Sequence, residues 1–156
     1  MGLDMYLRAT QYVSGYAHND ETERGNYSRI LQAIGLPSDI CPHTPSLTIA
    51  VTVAYWRKSN AIHKWFVDHC QDGVDDCRDA YVSREQLIEL RDLCKTVLAD
   101  PKLAEDELPP QSGFFFGSTG IDEWYLADLK RTVEELTRIL DDERLKGFDF
   151  EYHSSW

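Results

Sequence analysis

From Leu3 to Arg8 the apolar side chains Leu3, Met5 and Leu7 alternate with Asp4, Tyr6 and Arg8, and a period of two predicts a half-buried β-strand. A Gly/His/Asn/Asp stretch follows. Tyr27, Ile30, Leu31 and Ile34 then recur at helical spacing over 22–35, with Gly35 and Pro37 as the stop. Pro42 and Pro45 mark a loop before Ser46 to Trp56. There Leu47, Ile49, Val51, Val53 and Tyr55 alternate with Thr48, Ala50, Thr52 and Ala54, which makes this the clearest strand of the chain. Beyond it the period becomes helical. Projected onto a helix, residues 56–69 gather Ala61, Ile62, Trp65, Phe66 and His69 on one side. Trp56, Asn60 and His63 line another side, with Arg57 and Lys64 beside them. The pattern predicts a helix with a core face and a separate decorated face.

Residues 71–79 are turn-rich, and Ala80 to Val82 would form a short strand. Ser83 with Gln86 three residues later reads as a capping box for a helix whose buried stripe is Leu87, Leu90, Cys94 and Val97. The three prolines and several acids of 99–113 predict a long surface loop. Phe114 to Phe116 is expected to be a short strand ended by Gly117-Ser118-Thr119-Gly120. Tyr125, Leu129, Val133, Leu136 and Leu140 fall on one face of a helix over 122–146 that stops at Gly147, and Phe148, Phe150 and Tyr152 alternate with Asp149, Glu151 and His153 in a last strand. Strands and helices mix without a strict alternating rhythm. The expectation is therefore a single α+β domain over 1–156, with a small mainly antiparallel or mixed sheet and about four helices packed on it.

Charge narrows the partners. Sixteen Lys plus Arg against 27 Asp plus Glu leave a net charge of -11, which opposes non-specific attraction to duplex nucleic acid or to an anionic membrane. No stretch approaches the roughly 18 apolar residues of a membrane span, and the N-terminal segment lacks a cationic leader, so a protein that is neither exported nor lipid-anchored is expected. Tyr6 stands where a myristoylation motif has Ser or Thr. The four cysteines, at 41, 70, 77 and 94, are too sparse for a disulfide scaffold and read as reduced and cytosolic.

Against this acidic background, residues 55–66 form a cationic, aromatic-rich island. Arg57, Lys58 and a helix N-terminus near 57 would offer charge and free N–H groups to an anion, Asn60 and His63 would lie along the same face as Trp56, and the rings would stack on a base. Ser118 and Thr119 follow a strand, and their N–H groups would cradle a phosphate or line the same pocket. The candidate ligand-binding set is thus Trp56, Arg57, Asn60, His63, Lys64, Ser118 and Thr119. The competing structural use of these residues is ordinary: tryptophans as core anchors, Asn60 and His63 satisfying buried backbone groups, and the cations as a solvated edge.

Other chemistries find less support. There is no P-loop and no G-x-G-x-x-G. His63, His69, Cys70 and Cys77 match no closed zinc module, and the 72–76 acids lack the placement of an EF-hand loop, so no metal and no cofactor is expected. His153-Ser154-Ser155 echoes half of the H-x-S/T pair of two-histidine phosphoesterases without a second half. No catalytic residue can be assigned.

The run AYWRKSNAIHKWF, together with MGLDMYL, QDGVDDC, SGFFFGST and the ending Tyr152 to Trp156, resembles a family of small uncharacterised bacteriophage and prophage proteins over nearly the whole chain. The resemblance implies a viral or prophage origin and a bacterial cytoplasm as working compartment, with no activity to carry over. Two functions are therefore expected from different classes. One is binding of a small anionic or nucleotide-like ligand through the helix after the second strand. The other is a non-enzymatic acidic inhibitor or adaptor that docks on a basic host protein through Ala104 to Leu108 and Asp72 to Asp79.

Overall fold

The computed structural model describes residues 2–156. In chain order the elements are β1 (Asp4–Ser14), α1 (Glu21–Ala33), β2 (Ser46–Arg57), α2 (Asn60–Cys70), β3 (Ala80–Val82), α3 (Arg84–Ala99), α4 (Ala104–Glu107), α5 (Glu123–Asp141) and β4 (Asp149–Ser155). The fold is α+β, with a four-stranded antiparallel sheet in the order β2-β1-β4-β3. By their internal contacts the residues fall into two compact units, 10–51 and a larger one formed by 1–9 with 52–156.

In the larger unit the alternation of the strands decides which side is covered. Met5, Leu7 and Ala9 of β1, Ala54 and Trp56 of β2, Ala80 and Val82 of β3, and Phe150 and Tyr152 of β4 are buried. All of these except Ala80 share one core with Ile62, Trp65 and Phe66 of α2, the Leu87, Leu90, Cys94 and Val97 stripe of α3, and Leu129, Leu136 and Ile139 of α5. The remaining strand positions carry Tyr6, Arg8, Tyr55, Glu151 and His153, where Arg8 reaches Glu151 and Asp79 at 3.3 Å each and the Tyr6 ring lies 5.3 Å from that of Tyr55. Strand β2 is an edge, and α5 guards it: Arg131 and Arg138 donate to the carbonyl oxygens of Tyr55 and Val53 at 3.0 and 2.6 Å. Such side-chain donors occupy acceptors that would otherwise be open to another strand. Among the described residues no helix is long and apolar enough to cross a membrane.

The smaller unit has its own centre. Val13, Tyr27 and Leu31 are buried there, with Ile30, Leu47 and Ile49 packed against them. Helix α1 is capped by Asp20, which accepts from the Glu23 N–H at 2.8 Å, and it closes at Gly35, whose φ of 76° is the left-handed conformation that ends helices.

Several expectations are corrected. The strand beginning at Ser46 continues through Arg57, so Trp56 and Arg57 belong to β2 and not to the helix. Lys58 breaks the strand with a φ of 59°, and α2 starts only at Asn60. In the larger unit the inward positions of β2 are Ala54 and Trp56, while Val53 and Tyr55 are only half-buried, because Trp56 is the larger apolar group and takes the core side. Phe114 to Phe116 is a turn: Phe116 N–H bonds back to Gly113 O at 3.2 Å, and a Cβ on Gly113 would sit 2.6 Å from the Phe116 ring. The stretch 99–113 is not all loop, since Pro101–Leu103 is a 3₁₀ turn and α4 follows it. Helix α5 ends at Asp141, where Asp142 starts a second 3₁₀ turn over Glu143–Leu145 by accepting from the Arg144 N–H at 3.0 Å.

Candidate functional site

The junction between β2 and α2 opens onto a cavity of about 390 Å³ within the larger unit. One wall is the turn Arg57-Lys58-Ser59 and the first residues of α2, Asn60 to Ile62. The floor is the Gly117–Gly120 segment, and the opposite wall is the first two turns of α5, with Asp122, Trp124, Tyr125 and Asp128. Both helices present their N-termini here, and they differ. Asp122 caps α5 by accepting from the Trp124 and Tyr125 N–H groups at 3.0 and 3.1 Å. Helix α2 has no side-chain cap, although Ser59 stands at the position where a serine usually provides one.

The Ser59 hydroxyl is the unusual group of this site. Ser59 is 2% exposed, and its Oγ has no hydrogen-bond partner among the described residues. The Asp128 carboxylate is close enough to feel it without making a well-formed hydrogen bond. A buried hydroxyl left unpaired costs about 1–3 kcal/mol, so such groups in native proteins call for a partner. Next to it, Arg57 and Lys58 are exposed cations, and Arg57 is held only loosely by Asp4, at 3.8 Å. Burial pushes the Asp128 carboxyl above the usual carboxylate range, opposed by the Ser59 hydroxyl and the Arg131 guanidinium.

Of the residues singled out from sequence, Arg57, Asn60 and Ser118 line this cavity, whereas Trp56, His63, Lys64 and Thr119 do not. Trp56 is 1% exposed and gives its indole N–H to the Thr132 hydroxyl at 2.9 Å, which in turn donates to the Asp128 carbonyl at 2.8 Å. It is a core anchor tying β2 to α5. Asn60 is buried, and its amide donates to the carbonyl oxygens of Phe116 and Ser118 at 3.1 and 2.7 Å. Its side chain therefore fixes the floor, while its backbone lies in the wall. Lys64 pairs with Asp68 one turn along α2. The decorated helix face does not exist as such, because the faces were projected from a helix start four residues too early. Ser59, Asp122, Trp124 and Asp128 were not singled out. A Ser directly before a helix was the legible signal for the first; nothing in the sequence linked α5 to α2.

His63 is completely buried and fully engaged. Its Nε2 lies 2.9 Å from Asp75 Oδ2 and its Nδ1 lies 2.7 Å from the Tyr152 hydroxyl. With the Nε2–H donating to the Asp75 carboxylate, Nδ1 is left to accept from the Tyr152 hydroxyl. Asp75 Oδ1 also accepts from the Trp156 indole N–H at 3.0 Å. This chain of bonds fastens the 71–79 loop to α2 and β4. Burial, reinforced by the Asp75 charge, drives the Tyr152 hydroxyl well above its ordinary range, as expected of a group that stays protonated. Among the described residues no group of three or more His, Cys, Asp or Glu is placed to hold a metal ion. Cys70 and Cys94 are pushed up to about 12 by burial. The acids of the 72–79 stretch are engaged too: Asp72 and Asp76 with Arg78, Asp75 with His63, and Asp79 with Arg8. The smaller unit holds a wider opening of about 740 Å³, with Tyr12, Tyr16, His18 and Arg29 on its walls.

No protein-family model, curated protein or solved structure matches this chain.

Proposed function

We propose that the protein binds a small anionic ligand at the uncapped N-terminus of α2. The observation that carries this reading is the Ser59 hydroxyl, buried at 2% exposure and without a well-formed hydrogen bond, in a residue that lines the cavity. The aligned peptide groups of a helix place roughly half a positive charge at its N-terminus, and the first-turn N–H groups have no partner inside the helix. The Asn60 N–H is taken by the Lys58 carbonyl at 2.9 Å, so an anion seated there would receive the Ala61 and Ile62 N–H groups and the Ser59 hydroxyl, with Arg57 and Lys58 supplying charge. A strand followed by a tight turn and a helix is a common way to build such a seat. The bacteriophage or prophage origin and bacterial compartment implied by sequence resemblance belong to the same proposal, as does docking on a host protein, for which α4 offers the exposed carboxylates of Glu105, Asp106 and Glu107.

Thermal unfolding in increasing pyrophosphate tests the anion reading. A ligand that binds only the folded state at about one hundred times its Kd adds about 2.7 kcal/mol, or about 5–10 °C in Tm for a chain of this size. Ser59→Ala and Arg57→Ala should each reduce that shift. A pyrophosphate shift that both variants retain in full would place the binding elsewhere.

A further inference from the structure

We infer that the ligand of this cavity is a nucleoside monophosphate, with its phosphate at the N-terminus of α2, its ribose hydroxyls at Asp128 and its base on Trp124. The inference rests on the anion reading above and deepens it. The cavity is bipolar: the α2 wall carries Arg57, Lys58 and the free helix end, and the α5 wall carries Asp122 and Asp128. A bare inorganic anion would gain from the first wall and be repelled by the second. A molecule with a negative group at one end and hydrogen-bond donors at the other satisfies both.

The two carboxylates have different roles. Asp122 uses its Oδ1 to cap α5, accepting from the Trp124 and Tyr125 N–H groups. Asp128 caps no helix and lines the cavity together with Ser59. A ribose hydroxyl delivered there would give this half-buried carboxylate, which lines the cavity, a further donor. At the rim, the Trp124 side chain is 74% exposed, which is rare for the largest apolar side chain. Every base has a π face that stacks on such a ring whatever its sequence identity. The two cations favour a phosphate, which carries up to two charges, over a singly charged carboxylate. The volume of about 390 Å³ lies in the range of small-molecule sites, about 300–1,000 Å³, and phosphate alone would leave most of it to water.

Isothermal titration calorimetry of the full chain with inorganic phosphate, adenosine monophosphate, guanosine monophosphate and adenosine separates the possibilities. Either nucleotide should bind at least about tenfold more tightly than phosphate, a difference of about 1.4 kcal/mol. Trp124→Ala and Asp128→Asn should each reduce that advantage several-fold. Phosphate affinity should be unchanged in Trp124→Ala, which alters an exposed side chain, and equal or higher in Asp128→Asn, which removes a repelling charge. Phosphate binding with no nucleotide advantage, or an advantage that survives both substitutions, overturns the nucleotide assignment and leaves the anion seat standing. Binding of adenosine as tight as that of its monophosphate also overturns it. No heat from phosphate or from either nucleotide removes the anion seat together with the assignment.

Discussion

The side-chain amide of Asn60 donates to the carbonyl oxygen of Ser118 at 2.7 Å, so two residues that the sequence offers as ligand contacts are bonded to each other. The same amide reaches the Phe116 carbonyl at 3.1 Å. Asn60 thus holds the floor of the cavity against the first turn of α2. Asn60→Ala should leave two carbonyl groups short of a donor and cost about 1–3 kcal/mol, read as a lower urea midpoint. It should also loosen the 116–120 segment, visible as faster amide exchange at Gly117 and Gly120 than in the wild type. Unchanged stability and exchange would show that the floor stands without Asn60.

How much of this was legible in the chain depends on which forces set each element. The period-two runs at β1 and β4, the capping box at Ser83 and the apolar stripe of α3 are local signals, and the structure follows them; at β2 the strand forms as its period predicts, but Ala54 and Trp56, not Val53 and Tyr55, face the core. The start of α2 is not local: Lys58 leaves the strand in the left-handed conformation, which a non-glycine residue seldom signals in advance, and the helical projection of Trp56 and Arg57 failed there. The site was half legible. The cations and the strand-to-helix junction could be read, but Asp128 and Trp124 reach the cavity only because α5 packs beside β2 through contacts such as Trp56 with Thr132, some 76 residues apart in sequence. His63 looked like a ligand because its type suits one; only the structure reveals that Tyr152 and Asp75 already occupy both ring nitrogens.

The same bonds make Tyr152 a structural test. Removing its hydroxyl leaves the His63 Nδ1 buried without a donor, since the neighbouring rings of Phe66 and Phe116 supply none. Tyr152→Phe should therefore cost about 1–3 kcal/mol despite preserving almost all apolar contact. His63→Phe combined with Tyr152→Phe should cost less than the sum of the single changes, because the second change then removes no further bond with the imidazole. Denaturant unfolding of the four proteins measures the coupling, and additive costs would mean that the two side chains do not depend on each other.

Thiol chemistry should separate the cysteines sharply. Cys41 is exposed, and contact with the Thr44 hydroxyl, 3.0 Å from its sulfur, together with the Thr44 backbone holds its pKa below the ordinary thiol value. Cys70 and Cys94 are pushed up to about 12 by burial. Because the thiolate is the reactive form, Cys41 should account for the fast phase of labelling by an aromatic disulfide reagent at pH 7, with the half-buried Cys70 and Cys77 reacting more slowly and the buried Cys94 only on unfolding. Cys41→Ser should abolish that phase. A fast phase that persists in Cys41→Ser would locate the reactive thiol at another cysteine.

Asp128 gives a pH dependence whose sign can be worked out. Burial raises its pKa in the folded protein above the unfolded value of about 3.9, so between those two values the folded state holds more protons than the unfolded chain. Its contribution to stability is complete below the unfolded value and is lost as pH rises through the folded value. At pH 7 the wild type therefore bears the cost of a partly buried carboxylate that Asp128→Asn does not, while the Ser59 hydroxyl and the Arg131 guanidinium recover only part of that cost. The variant should be as stable as the wild type or more so at pH 7. Its advantage should shrink as pH is lowered toward 4, where the wild-type carboxyl takes up its proton. Urea midpoints of both proteins across that range provide the measurement. An Asn variant that is less stable at pH 7 and gains on the wild type as the pH falls would mean that Ser59 and Arg131 together outweigh burial, reversing the direction assigned to this carboxyl.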